Sequence, residues 1–387
     1  MSSPGCFSFV FVFPYNEGMI CPYYKQCGSC SYPPEDEKKT AAEKFTRTKA
    51  MLKPYKVGKC FENPEPFRYR HKVVYHFAMR NGRLIAGFHP SGSTRVLEIE
   101  DCLIQSETAV RINRDLLQIL NEHHLTAYNE KTGQGCLRHV LYRISTENKV
   151  LVCLVTATRE LYGSRDIVKE LRQLHPEIIG VDQYVQKRST SIVIEGETRQ
   201  LYGKGYLIDR LGEYRFAISA SAFYQVNPKI AEMIYREAVE GLKLQGNEKA
   251  LDLYCGIGTI SHFLAPHVKE VTGIEINPRA VKDAVRNAEL NGMKNVRFRC
   301  ADAGDVRLDS DFDVVVVDPP RSGLDQKLLR QLNRQGPKKI AYISCNPETL
   351  KRDLRELEKN YRFSEIELFD QFGFTDHLEA VCILMHI

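Results

Sequence analysis

Along the second half of the chain, short apolar runs alternate with amphipathic stretches. Runs suited to buried strands lie at Ala250–Tyr254, Val271–Ile274, Val296–Phe298, Phe312–Val317, Ile340–Ser344, Phe363–Phe369 and Leu378–Leu384. Between them apolar positions recur at helical spacing. Asn277 followed by Pro278 predicts a helix start and Gly292 its stop, giving a helix over Pro278–Asn291. Asn346-Pro347 repeats that signature and opens a helix running through Lys359. Strands alternating with helices predict a parallel α/β sheet covered on both faces. The link Asp370–His377 is too short for a crossover helix, so the last two of the seven strands are expected to pair antiparallel.

The first half lacks this rhythm. Between Pro66 and Glu100 the pattern is β-rich, and Arg68, Arg70, Lys72, Arg80, Arg83 and Arg95 face only Glu98 and Glu100. Phe67, Tyr69, Tyr75, Phe77 and Phe88 are interleaved with them. A basic excess mixed with rings suits a phosphate backbone and stacked bases, although a hairpin with a solvated charged face has the same pattern. The whole chain carries only +5, so placement matters more than size. No run reaches the ~20 apolar residues that span a bilayer, and Phe7–Phe13 lacks the preceding positive segment of a secretory signal. At roughly 150 residues per domain, the 387 residues imply two to three domains. A cytoplasmic protein without membrane contact is expected.

Twelve cysteines are too dilute for a disulfide scaffold. Three of them, Cys21, Cys27 and Cys30, fall within ten residues in a segment without helical or strand period. That density points to metal ligation, with Cys60 and Cys102 as candidate fourth ligands. One close pair plus a wider spacing suits an iron–sulfur cluster better than a structural zinc, and the spacing leaves both open.

The first strand of the α/β half runs into Tyr254-Cys255-Gly256-Ile257-Gly258-Thr259, whose glycines let the backbone approach a ligand. Ser261 replaces the third glycine of a dinucleotide fingerprint. Glu275 ends the next strand, where a carboxylate can accept from ribose hydroxyls, and Asp302 follows the third; together they favour S-adenosylmethionine over NAD. Asp318-Pro319-Pro320-Arg321 closes the fourth strand, and Arg321 stands where amine-methylating enzymes carry an aromatic ring. Cys345 ends the fifth strand just before a helix N-terminus, a position expected to lower its pKa. A thiolate adding to carbon 6 of uracil would make carbon 5 nucleophilic, and a carboxylate would then remove the carbon-5 proton. Asp370, Asp376, His377 and Glu379 are candidates for that base, with Glu379 preferred because it opens the last strand.

The set Cys21/Cys27/Cys30/Cys102, Phe223-Tyr-Gln225-Val-Asn227, Asp252-Leu-Tyr-Cys-Gly256, Asp318-Pro-Pro-Arg321, Ser344-Cys345-Asn346-Pro347 and His377-Leu-Glu379 resembles the RNA uracil-5 methyltransferase family, in family order from about Ile20 to the C-terminus. The resemblance implies a Rossmann-like seven-stranded methyltransferase domain and a β-rich central domain carrying a [4Fe–4S] cluster on Cys21, Cys27, Cys30 and Cys102. It implies S-adenosylmethionine bound by Gln225, Tyr254, Thr259, Glu275, Asp302 and Asp318, with Cys345 as nucleophile and Glu379 as proton acceptor. Arg68, Arg70 and Lys72 would face RNA.

With twenty residues ahead of Cys21, the expected form lacks the leading β-barrel RNA-binding (TRAM) domain, and residues 1–18 read as a disordered leader. The cluster cysteines point to 23S rRNA as substrate, with tRNA as the alternative, and to a monomer. By the same resemblance residues 1–33 and 66–222 form the iron–sulfur and RNA-binding domain, and 34–65 with 223–387 the methyltransferase domain. A cytosine-5 methyltransferase and a non-catalytic RNA-binding protein with a vestigial fold are the rival readings. The first would need a site for the exocyclic amine, and the intact pair Cys345 and Glu379 argues against the second.

Overall fold

The structure, a computed structural model, describes residues 21–34, 36–188, 193–194, 196–308 and 312–387. The expected leader at 1–18 lies outside them. After the single turn α1 (Tyr24–Cys27) come α2 (Glu37–Leu52) and β1 (Val57–Phe61). A central sheet follows, made of β2 (Lys72–Arg80), β3 (Arg83–Phe88), β4 (Leu97–Glu98), β5 (Leu137–Ile144), β6 (Val150–Thr156), β7 (Ile178–Val185) and β8 (Glu197–Gly203). Its order is β4-β3-β2-β5-β6-β7-β8. The helices α3 (Glu107–Glu122) and α4 (Ser164–Leu174) cover one face, enclosing a core that includes Tyr75, Leu116, Tyr142 and Leu171.

The hairpin β9 (Tyr206–Leu211) and β10 (Tyr214–Ser219) leads to α5 (Pro228–Gly241) and the α/β sheet. That sheet contains β11 (Lys249–Leu253), β12 (Glu270–Glu275), β13 (Val296–Cys300), β14 (Val314–Val317), β15 (Lys339–Ser344), β16 (Tyr361–Phe363), β17 (Ile366–Phe369) and β18 (Glu379–His386). Its helices are α6 (Thr259–Leu264), α7 (Pro278–Leu290), α8 (Gln326–Gln335) and α9 (Pro347–Leu357). Among the described residues the order is β1-β17-β18-β15-β14-β11-β12-β13, with β16 also on β18. β11 to β15 run parallel, and β18 is antiparallel to both β15 and β17.

The expected seven strands are all present, and two more join them. The single run Phe363–Phe369 is broken at Ser364, whose N–H donates to Ile383 O at 2.8 Å and whose Oγ accepts from Ile383 N at 3.0 Å. β16 and β17 result. The second addition is β1, which extends the edge parallel to β17.

The chemistry sits at one edge of this sheet because of how its helices begin. α5, α7 and α9 each open on Asn-Pro, with Asn227, Asn277 and Asn346 accepting from the first-turn N–H groups of Ile230, Arg279 and Glu348. Proline fixes the first helical φ and gives up no needed donor. β14 is buried along its whole length, as a valine run at the middle of a parallel sheet requires. Apolar clusters lie on both sheet faces, one with α5, α6 and α7, the other with α2, α8 and α9.

The hairpin β9–β10, expected with the central domain, contributes Leu211, Tyr214, Phe216 and Ile218 to the α5–α7 cluster. Ala217 N donates to Asn287 Oδ1 on α7 at 2.7 Å. Its Leu207 packs with Leu141 and Cys153 of the central sheet, so the hairpin bridges the two halves. No helix among the described residues is long and apolar enough to cross a membrane.

Candidate active site and cysteine cluster

The carboxyl ends of β11, β12, β14 and β15 converge on one crevice. After β11 the chain turns through Tyr254 (φ 64°), Gly256 (φ 54°) and Gly258 (φ 84°). A side chain at Gly258 would meet the Phe298 ring at 2.6 Å, so glycine is needed there for space as well as for φ. A bulky residue such as Tyr254 in the left-handed region marks a backbone held by its surroundings for function. Ser261, in place of a third glycine, donates from Oγ to Asp252 Oδ2 at 2.6 Å and ties α6 to β11. Burial and the charges of Asp318 and Glu275 raise the Asp252 carboxyl to about 7, with the Ser261 hydrogen bond opposing.

Glu275 accepts from Gly256 N at 3.1 Å and Asn277 N at 2.8 Å, which sets its carboxylate beside the turn. Asp302, exposed, accepts from Gly304 N at 2.8 Å. Gln225 is buried and accepts from Gln371 Nε2 in the loop after β17. Tyr235 of α5, also buried, lies beside Gln225 and Thr259, and sequence reasoning missed it because an aromatic at helical spacing reads as core.

Cys345 and Glu379 come from strands that pair. Ser344 lies opposite Ala380 in the antiparallel β15–β18 register, so one further step sets Cys345 beside Glu379. Asp318, one residue past β14, is the next carboxyl. The Glu379 side chain is buried, its Oε2 lacks a partner, and burial followed by the Asp318 charge raises it well above the carboxylate range. Burial alone holds Asp318 up at about 7. The expectation of a lowered Cys345 pKa is corrected: burial, then Glu379 and Asp318, push the thiol up to about 11. A helix N-terminus does not offset two adjacent carboxyls in an enclosed site.

Arg321 opposes these effects at both Cys345 and Glu379. Its loop is pinned to the start of α9, since Asn346 Nδ2 donates to Arg321 O at 3.0 Å and Thr349 Oγ1 does so at 3.3 Å. Sequence reasoning read Arg321 only as a missing aromatic; its proximity to the thiol required the fold.

Of the alternative bases, Asp370 is fully buried in an ion pair with Lys44, and Asp376 is paired with Arg47 at 2.7 Å. Both are committed to holding the loop that precedes Glu379. His377 is pushed down by burial and Arg321.

Cys21, Cys27, Cys30 and Cys102 are neighbours close enough to act on one another electrostatically: Cys30 is raised by burial and then by Cys102, Cys21 and Cys27. Among the described residues, no three His, Cys, Asp or Glu side chains converge closely enough to hold a single metal ion. Four thiols and no carboxylate or imidazole are, by residue type, the donor set of iron–sulfur ligation. Cys30 and Cys102 pack on Tyr69, Ile104 and Phe374, and Ser31 N and Tyr32 N donate to Phe374 O at 2.9 and 3.0 Å. The cysteine segment therefore supports the same loop that leads to Glu379.

Arg68 and Arg70 precede β2. Arg68 makes a bidentate pair with Asp101 at 2.5 and 2.8 Å and donates to Cys102 O at 2.7 Å. Arg70 lies beside Tyr69, Cys102 and Cys30. Lys72 begins β2 opposite Arg143, and burial followed by that charge lowers its amine to about 8. The two arginines brace the cysteine segment, and Lys72 lies on the face of the central sheet.

Comparison with known proteins decides the family. The model of the tRNA (uracil-5-)-methyltransferase family matches residues 36–387. The chain belongs to this family. The tRNA (uracil-5-)-methyltransferase family member described here is 37% identical over 388 residues to an RNA methyltransferase of Bacillus cereus, covering 97% of this chain and 84% of that one. It is 39% identical over 328 residues to an RNA methyltransferase of Oceanobacillus iheyensis, covering 83% and 72%. Among solved structures it is similar to the Pyrococcus abyssi tRNA (uracil-54, C5)-methyltransferase in complex with S-adenosyl-L-homocysteine. The TM-score is 0.76 at 28% identity, over 91% of this chain and 84% of that one. The family member is accordingly an RNA methyltransferase.

Proposed function

We propose that the protein methylates carbon 5 of a specific uridine in structured 23S rRNA. The observation that carries the reaction is the β15–β18 register, which sets a thiol beside a buried carboxyl with Arg321 facing both. S-adenosylmethionine supplies the methyl group when bound. Gln225, Tyr254, Thr259, Glu275, Asp302 and Asp318 hold it, Glu275 beside the glycine turn and Asp318 toward the reacting centre.

Cys345, as thiolate, adds to carbon 6 of the uracil and makes carbon 5 nucleophilic. Once carbon 5 carries the methyl group, Glu379 as carboxylate takes its proton and the Cys345 sulfur leaves. Burial favours the neutral forms of both groups, and Arg321 moves both toward the working ones. The target base must leave its stack to reach Cys345, at a cost of a few kcal/mol that contacts on the central half offset.

Cys21, Cys27, Cys30 and Cys102 hold a [4Fe–4S] cluster in this reading, and that set supports the ribosomal substrate. The name of the matched family and of its Pyrococcus abyssi member support a tRNA substrate instead. Residues 34–65 and 223–387 act as the catalytic unit, with β1 and α2 built into its sheet and core.

Mass-spectrometric mapping of 5-methyluridine tests the reading. Anaerobically purified protein is reacted with S-adenosylmethionine and either unmodified 23S rRNA fragments or tRNA transcripts, with Cys345→Ala as control. Methylation of rRNA alone, lost in the variant, is expected. Methylation of tRNA alone keeps the mechanism and changes the substrate. Transfer to neither RNA overturns the reading.

A further inference from the structure

On the central sheet, β2 and β5 pair with Lys72 opposite Arg143, Val74 opposite Leu141 and His76 opposite His139. These six share one face, because Val73, Tyr75 and Phe77 alternate with them into the core with Val140 and Tyr142. At the end away from Lys72 the face opens into a cavity of about 900 Å³. His76, His89, His139, Arg95, Tyr128 and Arg138 line it, and none belongs to the active site. The His76 ring lies 4.2 Å from that of His89 and 5.4 Å from that of His139. His139 Nε2 donates to Val193 O at 2.5 Å, which fixes the ring. The Arg138 guanidinium lies over the Tyr128 ring at 4.5 Å. Arg95 is exposed and has no ion pair among the described residues.

We propose that this cavity is a second RNA subsite, which receives one unstacked nucleotide of the substrate while the target uridine is at Cys345. The inference rests on the RNA-methyltransferase reading above. Grouped imidazole rings and an arginine-backed tyrosine offer faces and edges to a base. Arg95 offers a free cation to its phosphate. The volume is within the range of small-molecule sites and ample for a nucleotide. A metal ion does not fit, since no three ligating side chains converge there.

The substrate class of the family selects RNA over a free nucleotide. Between the cavity and the catalytic half this face is closed: Leu141 packs under Leu207 and Ala220, and Arg143 is buried. Arg143 there donates to Ala220 O at 3.1 Å and to Ala222 O. Next in sequence are Phe223, which is 66% exposed, and Gln225 of the cofactor set. An RNA with one base in the cavity and the target at Cys345 would therefore cross the outside of this cover, with Arg95 and Phe223 exposed toward it.

The test compares two RNAs by fluorescence anisotropy and steady-state methylation: a minimal loop holding the target uridine, and the same loop with its native single-stranded flanks. The double variant Arg95→Ala/Tyr128→Ala is expected to bind the flanked RNA about tenfold more weakly, with KM raised and kcat unchanged. Binding to the minimal loop should not change. Its slope of log affinity against log salt on the flanked RNA should be shallower by about 0.7, the loss of one phosphate contact on a single strand. In the unaltered protein, 4-thiouridine in the flank should crosslink to Tyr128 or His89. Equal weakening on both RNAs, no weakening on either, or crosslinks confined to other surfaces overturns the subsite. If the flanked RNA is bound better through these residues but never methylated, the subsite stands and the methyltransferase reading falls.

Discussion

Arg321 exerts its effect on two reacting groups at once. Because it lowers the pKa of both Cys345 and Glu379, the working thiolate–carboxylate state becomes more populated as pH rises. kcat/KM is therefore expected to climb from pH 7 to 9, and Arg321→Ala should move that rising limb to higher pH, as a pH–rate series would record. Glu379 has a consequence for stability. Its folded pKa lies above the unfolded value of about 4.3, so the native state is favoured by protonation. That contribution is complete below the unfolded pKa and is lost as pH rises through the folded one. Glu379→Gln should thus abolish turnover, yet melt about 2–4 °C above the parent at pH 9 and no higher at pH 4, measured by differential scanning calorimetry. Cys345 and Glu379 could be picked from the sequence because strand ends and caps locate them. Tyr235, Asp252 and the reach of Arg321 could not, since each depends on a partner many residues away.

The loop Asp370–Leu378 is the element on which the site turns. Lys44 holds it from α2, pairing with Asp370 and donating to Phe372 O at 3.1 Å. Tyr69 OH donates to Gly373 O at 3.2 Å, and Asn227 Nδ2 to Gln371 O at 3.3 Å. Both side chains of the Lys44–Asp370 pair are fully buried. Lys44→Met leaves a carboxylate without its cation and should cost about 3–5 kcal/mol in urea unfolding, while Lys44→Met/Asp370→Asn should recover most of that loss. In the sequence, Ala41, Ala42, Phe45 and Met51 make this stretch read as a helix packed on the catalytic half, but nothing there singles out Lys44 from Lys38, Lys39 and Arg47 as the buried cation. Only the loop folding back over α2 buries it. β1 escaped notice for a related reason: Val57-Gly58-Lys59-Cys60-Phe61 has too few apolar residues to signal a strand, and its place comes from the free edge of β17.

At the scale of the whole molecule, the two halves meet through the cysteine segment, the β9–β10 hairpin and Arg143. The α/β half was legible because strand length, caps and prolines are local signals; the hairpin's attachment to α7 was not, because alternation in Tyr206–Ser219 says nothing about which neighbour it covers. If Cys21, Cys27, Cys30 and Cys102 hold a four-iron core, anaerobic protein should contain about four iron per chain and absorb broadly in the visible. Cys30→Ser should remove that absorption and, through Ser31 and Tyr32, increase amide hydrogen exchange across residues 371–378. Exchange unchanged in that loop would separate the cysteine segment from the catalytic base.

β18 lies between β15 and β17, although both precede it in the chain. A chain interrupted before Glu379 therefore holds the proposed nucleophile without the proposed base, and on that reading partial synthesis products cannot complete turnover. It also has two unpaired strand edges facing an empty slot in the middle of a hydrophobic sheet. Such a fragment is a template for intermolecular pairing and a substrate for proteolytic clearance. The topology makes synthesis through β18 a condition for closing the sheet and for the proposed chemistry.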